Sequence, residues 1–193
     1  MNIADILNNA CSTLANRWIH TANAVYPFAT TGFLHTQPDP FANPVGQRSR
    51  ELAPLLLRAV AGLPYDETAF QTAMEEFTRV RAMQDMPANV TLQVMFAYKH
   101  IVRAYLKDQN ISTGEFSPDA LHALDERSDN FALLAFDIYA RQREAFFEVR
   151  LHDIQRRYSQ ILRLAQRHGL AETITETGDT DPPSRTPSPG MHS

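Results

Sequence analysis

From Phe131 to His168 the chain carries an apolar pattern of helical period that runs almost without a break, and Gly169 is its natural C-terminal stop. Within it Phe147, Leu151, Ile154, Tyr158, Ile161 and Ala165 alternate steps of four and three, which is a heptad seam. A seam of this kind needs a second helix against it. The bundle of the same chain or a second copy of the chain is expected to supply one.

The upstream pattern is helical as well. Ile3, Ile6, Leu7, Leu14, Trp18, Ile19, Ala22 and Val25 predict a first amphipathic helix, stopped at Tyr26-Pro27 because proline disfavours the helical conformation of the residue before it. A loop is expected from about Phe28 to Pro40. Asn43 is a suitable N-cap and Pro44 a suitable first helical residue, so a second helix is predicted from there to Gly62, kinked at Pro54. Asp66 caps a third helix ending near Met86-Pro87, a fourth runs from about Ala88 to the turn at Asn110–Gly114, and Ser117-Pro118 opens the last part. No alternation of period two survives for more than a few residues. The fold class is therefore all-α, a bundle of about five to six helices with a long C-terminal one. Residues 1–170 form the expected folded domain, and 171–193, acidic and rich in Pro, Ser and Thr, a disordered tail.

With 193 residues, 44% of them apolar, the chain can bury one ordinary core. A net charge of −4 argues against a surface built throughout to grip nucleic acid or anionic lipid. The last helix runs against this balance: between Arg141 and Arg167 seven arginines face three acidic residues. A solvated helix face explains that stretch better than a nucleic-acid interface, because no helix-turn-helix context accompanies it. The single cysteine, Cys11, leaves no intramolecular disulfide and no zinc-binding pair, and the N-terminus lacks the basic and apolar regions of a secretory leader. A cytoplasmic protein that is not inserted in a membrane is expected.

Charged and polar residues set among apolar ones on the helices are the candidates for a ligand pocket: Arg79, Arg81 and Asp85 on the third, His100 on the fourth, Asp137 and Tyr139 on the last. The commoner use of such charges is as buried or half-buried ion pairs that fix helix register, since buried charges persist only when paired. Arg127 with Asp129, and Arg143 with Glu144, are expected in surface or interhelix pairs. Asn43-Pro44-Val45-Gly46 has the chemistry of a helix N-terminal anion site, but capping and turning account for the same residues. Of the seven histidines His100, beside Ile101 and one turn from Phe96, is the best placed for a haem. No cofactor and no metal is expected, and no nucleotide-binding, nucleophile-elbow or metalloprotease motif is found.

Trp18, Tyr26-Pro27, the string Asp39–Gly46, the string Arg79-Val80-Arg81-Ala82-Met83-Gln84-Asp85, Lys99 and Arg103, Arg127 and Asp129, Ala135–Tyr139, Arg143-Glu144 and Arg150 together resemble the RsbRD N-terminal domain family. The resemblance covers roughly residues 5–158. In bacterial stress-response regulators this input domain precedes a phosphorylatable STAS domain, and related regulators use a globin-like fold without haem. The resemblance implies a helical sensor-like module that passes a state to another protein. The tail follows here where relatives continue into an output domain.

A non-enzymatic regulatory or sensor module is thus expected, acting on protein partners such as STAS-domain or kinase regulators. Homodimerisation or partner docking is assigned to Arg143, Phe147, Arg150, Leu151, Ile154, Tyr158 and Ile161. Two alternatives stay open: an accessory or assembly protein docking on a metabolic or membrane-associated complex, and a globin-like ligand or haem sensor.

Overall fold

The computed structural model describes residues 2–36, 39 and 41–167. Among these are seven α-helices: α1 (Ile3–Asn9), α2 (Cys11–Asn23), α3 (Phe28–Thr36), α4 (Pro44–Ala61), α5 (Glu67–Met83), α6 (Ala88–Asp108) and α7 (Pro118–Arg167), with one 3-10 turn at Thr113–Glu115. The described residues contain no strand. Two compact units divide the chain, the first ending at Phe146 and the second beginning at Phe147, so α7 belongs to both. The tail assigned to 171–193 lies outside the described residues.

Local chemistry sets most helix ends. The Asn2 side chain accepts from Ala4 N–H, and the Asp66 carboxylate accepts from Ala69 N–H at 2.9 Å. At the head of α4, Asn43 Oδ1 accepts from Gly46 N–H while Nδ2 donates to the Leu34 carbonyl, both at 2.8 Å. A Cβ on Gly46 would overlap Asn43 Nδ2 and that same carbonyl oxygen. Asp39 adds a turn by accepting from Phe41 N–H at 3.0 Å. The Asp39–Gly46 string thus builds the approach to α4. At the other end of α4, Gly62 takes the left-handed conformation with φ 72°. The Arg127 guanidinium lies over Gly62, and Arg127 Nε donates to Val60 O at 2.8 Å, a cation against the negative end of the helix.

Three expectations are corrected. The N-terminal helix is two, interrupted at Ala10, although Leu7 and Leu14 on either side are both fully buried. The segment taken as a loop is largely α3, opened where Thr30 N–H donates to Pro27 O at 2.8 Å, while α2 has already ended at Asn23 rather than at Tyr26-Pro27. Its threonines and glycine carry weak helix propensity, and nine residues are too few for a clear period. The count is therefore seven helices rather than five or six. α4 runs through Pro54 to Ala61 as the single helix expected, 18 residues long.

The core of the first unit is centred on Trp18 of α2, which is fully buried. Its ring stacks on Tyr98 of α6 at 5.6 Å and tilts against Phe77 of α5 at 5.4 Å, and its Nε1 donates to Val94 O at 2.7 Å. Tyr98 in turn donates its hydroxyl to Ala53 O of α4 at 2.6 Å. Four helices are so tied through two aromatic side chains, and Leu52, Leu56, Leu57, Met74, Met95 and Leu106 fill the space around them.

Within the first unit, α7 meets α6 through two ion pairs, Lys99 with Asp129 and Arg103 with Asp125, the latter bidentate at 2.9 and 2.5 Å. It meets α5 through the edge-on contact of Phe131 with Phe70, centroids 5.0 Å apart. Lys99, Arg103, Arg127 and Asp129 are thus structural.

Gly46→Ala should destabilise the first unit by about 1–3 kcal/mol through forced displacement at the α4 cap, read as a lower urea midpoint. The hydrogen bond from Arg103 holds the Asp125 carboxyl below the usual carboxylate range. Folded protein therefore takes up this proton only at lower pH than unfolded chain does. The stabilisation is complete above about pH 4 and is lost as pH falls through the depressed value. In urea melts across an acid pH series, Asp125→Asn should flatten that part of the pH dependence.

Candidate functional site

Helix α5 places Arg79 and Arg81 about 200° apart around its axis, so one side chain faces out and the other in. Arg79 is half exposed and pairs with Glu76 at 3.0 Å. Arg81 has no exposed surface at all. Its guanidinium lies 3.6 Å from the centroid of the Phe77 ring and 5.8 Å from that of Tyr26, and it donates to Ala22 O at 3.2 Å and Phe77 O at 3.5 Å. Among the described residues no carboxylate lies within ion-pair distance of it. The buried ion pair expected here is therefore absent: aromatic faces and main-chain carbonyls hold the cation. Burial pulls its pKa down to about 10, with Tyr26 acting in the opposite direction, so it remains charged at neutral pH. Tyr26 closes this side by donating its hydroxyl to Gln84 Oε1 at 2.8 Å.

The same turn of chain is gripped from α7. Asp85 leaves α5 in the left-handed conformation, φ 55°, and Met86 N–H returns to Arg81 O at 3.1 Å. Tyr139 of α7 donates its hydroxyl to Met86 O at 2.5 Å, and Arg143, one turn on, donates to Ala82 O at 3.2 Å and to the Asp85 carboxylate. The bond to Asp85 pushes the Arg143 pKa up. Gln142 Nε2 adds a bond to Glu75 O at 2.8 Å. Residues 81–86 thus contact the end of α2 through Arg81 and Tyr26 beyond it through Gln84, and contact α7 through the Ala82 carbonyl, Asp85 and the Met86 carbonyl.

Of the proposed pocket residues, Arg81, Asp85 and Tyr139 gather at this corner, and Arg143, assigned to partner contacts, joins them. Arg79, His100 and Asp137 do not: all three are exposed. His100 accordingly offers no axial ligand to an enclosed site. Tyr26, Gln84 and Asn23 went unassigned because their places depend on contacts distant in sequence, Tyr26 with Gln84 across 58 residues and Asn23 with Ser49 across 26, although Tyr26 and Gln84 both lie in strings singled out in the sequence. Among the described residues no cluster of three His, Cys, Asp or Glu side chains is placed to hold a metal.

In the second unit, Phe147, Leu151, Ile154, Tyr158 and Ile161 are all exposed, from 44% at Leu151 to 67% at Phe147. Val149, Leu162 and Leu164 add to them. Phe147, Leu151, Ile154, Tyr158 and Ile161 share one narrow arc of the helix and form an exposed apolar stripe along it. The basic residues Arg156, Arg157 and Arg163 lie on the same helix.

Tyr139→Phe should cost about 0.5–1.5 kcal/mol in urea unfolding, the net value of one hydrogen bond. It should also speed amide exchange in the α5–α6 turn while leaving α1 and α2 unchanged, a pattern that hydrogen-exchange mass spectrometry resolves.

The span that holds this corner is also the span that a known family shares. The sequence model of the family described as RsbT co-antagonist protein rsbRD N-terminal domain matches residues 12–153. No curated protein and no solved structure matches the chain. The matched span takes in Trp18, Tyr26, Arg81, Asp85, Tyr139 and Arg143 and exceeds half of the chain, and the protein belongs to the RsbT co-antagonist rsbRD N-terminal domain family.

Proposed function

We propose that this protein is a non-enzymatic regulatory module of the stress-response type, which takes a signal at the Arg81 corner and delivers it through α7 to other proteins. The exposed heptad seam of α7 carries this reading. Its natural occupant is the same seam of a second copy. In the heptad that places Leu151 and Tyr158 at one core position and Phe147, Ile154 and Ile161 at the other, parallel pairing sets Arg150 and Arg157 opposite Gln155 and Leu162 of the second chain. No like charges meet in that arrangement, whereas antiparallel pairing brings arginine towards arginine. A parallel pair also suits a signalling role, because both first units then act on one shared coil.

STAS-domain or kinase regulators are the protein partners that the family membership favours, in the cytoplasm. No described helix is long and apolar enough to cross a membrane, which accords with that location.

Sedimentation equilibrium of the full-length protein should give a dimer, and Leu151→Glu with Ile154→Glu should give a monomer whose far-UV dichroism stays helical. A monomeric wild-type protein refutes the pairing and favours a different partner for the seam.

A further inference from the structure

The distal part of α7 carries a second surface, opposite in position and in chemistry to its apolar stripe. At about 100° per residue, Arg156, Arg163 and Arg167 fall within about 40° of one another, and their common direction is about 180° from the centre of the Phe147–Ile161 stripe. All three are exposed, and among the described residues no carboxylate forms an ion pair with any of them. Two shallow depressions follow this part of the helix, one lined by Asp153, Arg156, Arg157 and Gln160, the other by Gln160, Arg163, Leu164 and Arg167. Residues 147–167 hold five arginines against Glu148 and Asp153, whereas residues 1–146 hold twelve basic and sixteen acidic residues. The sequence that follows α7 has the opposite sign: between 171 and 184 stand Glu172, Glu176, Asp179 and Asp181, with no basic residue.

We propose that the acidic segment 172–181 docks on the face of α7 formed by Arg156, Arg163 and Arg167. The lengths agree. Arg156 and Arg167 are about 16 Å apart along a helix that rises about 1.5 Å per residue. Glu172 and Asp179 are about 23 Å apart in a chain extended at about 3.3 Å per residue, and the reach of the arginine side chains takes up the difference. Gly169 lies between Arg167 and Glu172 and permits the reversal that such docking needs. One exposed ion pair holds little, but several on one tethered segment act together, at an effective concentration of about millimolar. Two other anionic occupants fit less well. A helix lying on a lipid surface needs its cations beside the apolar face, and these three are opposite to it. Nucleic acid is opposed by the acidic excess of residues 1–146. The assignment does not rest on pairing through the seam, since the three arginines point away from it in a monomer and in a dimer alike. In consequence an acidic partner reaches this face only by displacing the segment.

The test is 15N NMR of the full-length protein. At low ionic strength the amides of 172–181 should show heteronuclear NOEs above those of 186–193. Raising the salt to about 0.5 M, where charges are screened beyond a few ångströms, should remove the difference. The variant Arg156→Gln/Arg163→Gln/Arg167→Gln should remove it at every salt concentration, whereas Lys107→Gln, exposed on α6, should leave it in place. Conversely, Glu172→Gln/Glu176→Gln/Asp179→Asn should shift the Nε–H resonances of the three arginines. Amides of 172–181 that are the same in wild type and in the triple arginine variant overturn the proposal, as does an equal change in Lys107→Gln. If those amides are unmoved while wild type, but not the triple arginine variant, sediments with phosphatidylserine vesicles, the face belongs to a membrane surface and the proposal is likewise overturned. Sedimentation equilibrium reads the seam separately, so failure of one assignment leaves the other standing.

Discussion

The indole of Trp18 is the contact on which the rest of the first unit depends. It is large, wholly buried and hydrogen-bonded, and it meets α5 through Phe77 and α6 through Tyr98 and Val94. Because Tyr98 then spends its hydroxyl on the Ala53 carbonyl, the position of α4 follows from the same stack. Burying an aromatic group is favourable by its area alone, but the indole N–H and the phenol are tolerated there only because each finds a carbonyl. Those two hydrogen bonds convert a non-directional attraction into a fixed arrangement of four helices.

One turn beyond Phe77, the same helix brings Arg81 to the edge of that stack. An apolar residue would fill the space at lower cost, since a buried charge seldom adds net stability. The charge instead lies where α5 ends, in a corner whose main-chain carbonyls are read by Tyr139 and Arg143. α2, α5 and α7 therefore share one short stretch of backbone. The exposed pair of Arg143 with Asp85 contributes little by itself. The short bond from Tyr139 to the Met86 carbonyl supplies the firmer attachment.

Helix α7 carries two different fates under one period. Up to Tyr139 its apolar residues Leu124, Ala132, Ala135 and Ile138 are buried, while from Phe147 on the equivalent residues are exposed. The first set is small or medium in size, suited to close packing within a bundle. The second, with Phe147, Ile154 and Tyr158, offers the large side chains that protein interfaces use.

Element type was legible in the sequence because it rests on local rules. Asn43 with Pro44, Asp66, and Gly62 mark helix ends through bonds to residues three or four away, and the three-and-four spacing marks helical faces without knowledge of what covers them. The family strings were legible too, but not their use. The split of the first helix at Ala10 and the helicity of α3 escaped because neither leaves a strong local signal. What only the tertiary structure decided is which residues meet: Arg81 rests on Ala22 across 59 residues, Tyr26 on Gln84 across 58, Tyr139 on Met86 across 53. Spacing along a helix fixes which side chains share a face, but the partner of that face is set by how the helices pack. For that reason the sequence named Arg81, Asp85 and Tyr139 together with Arg79, His100 and Asp137, and the packing alone separated the two sets.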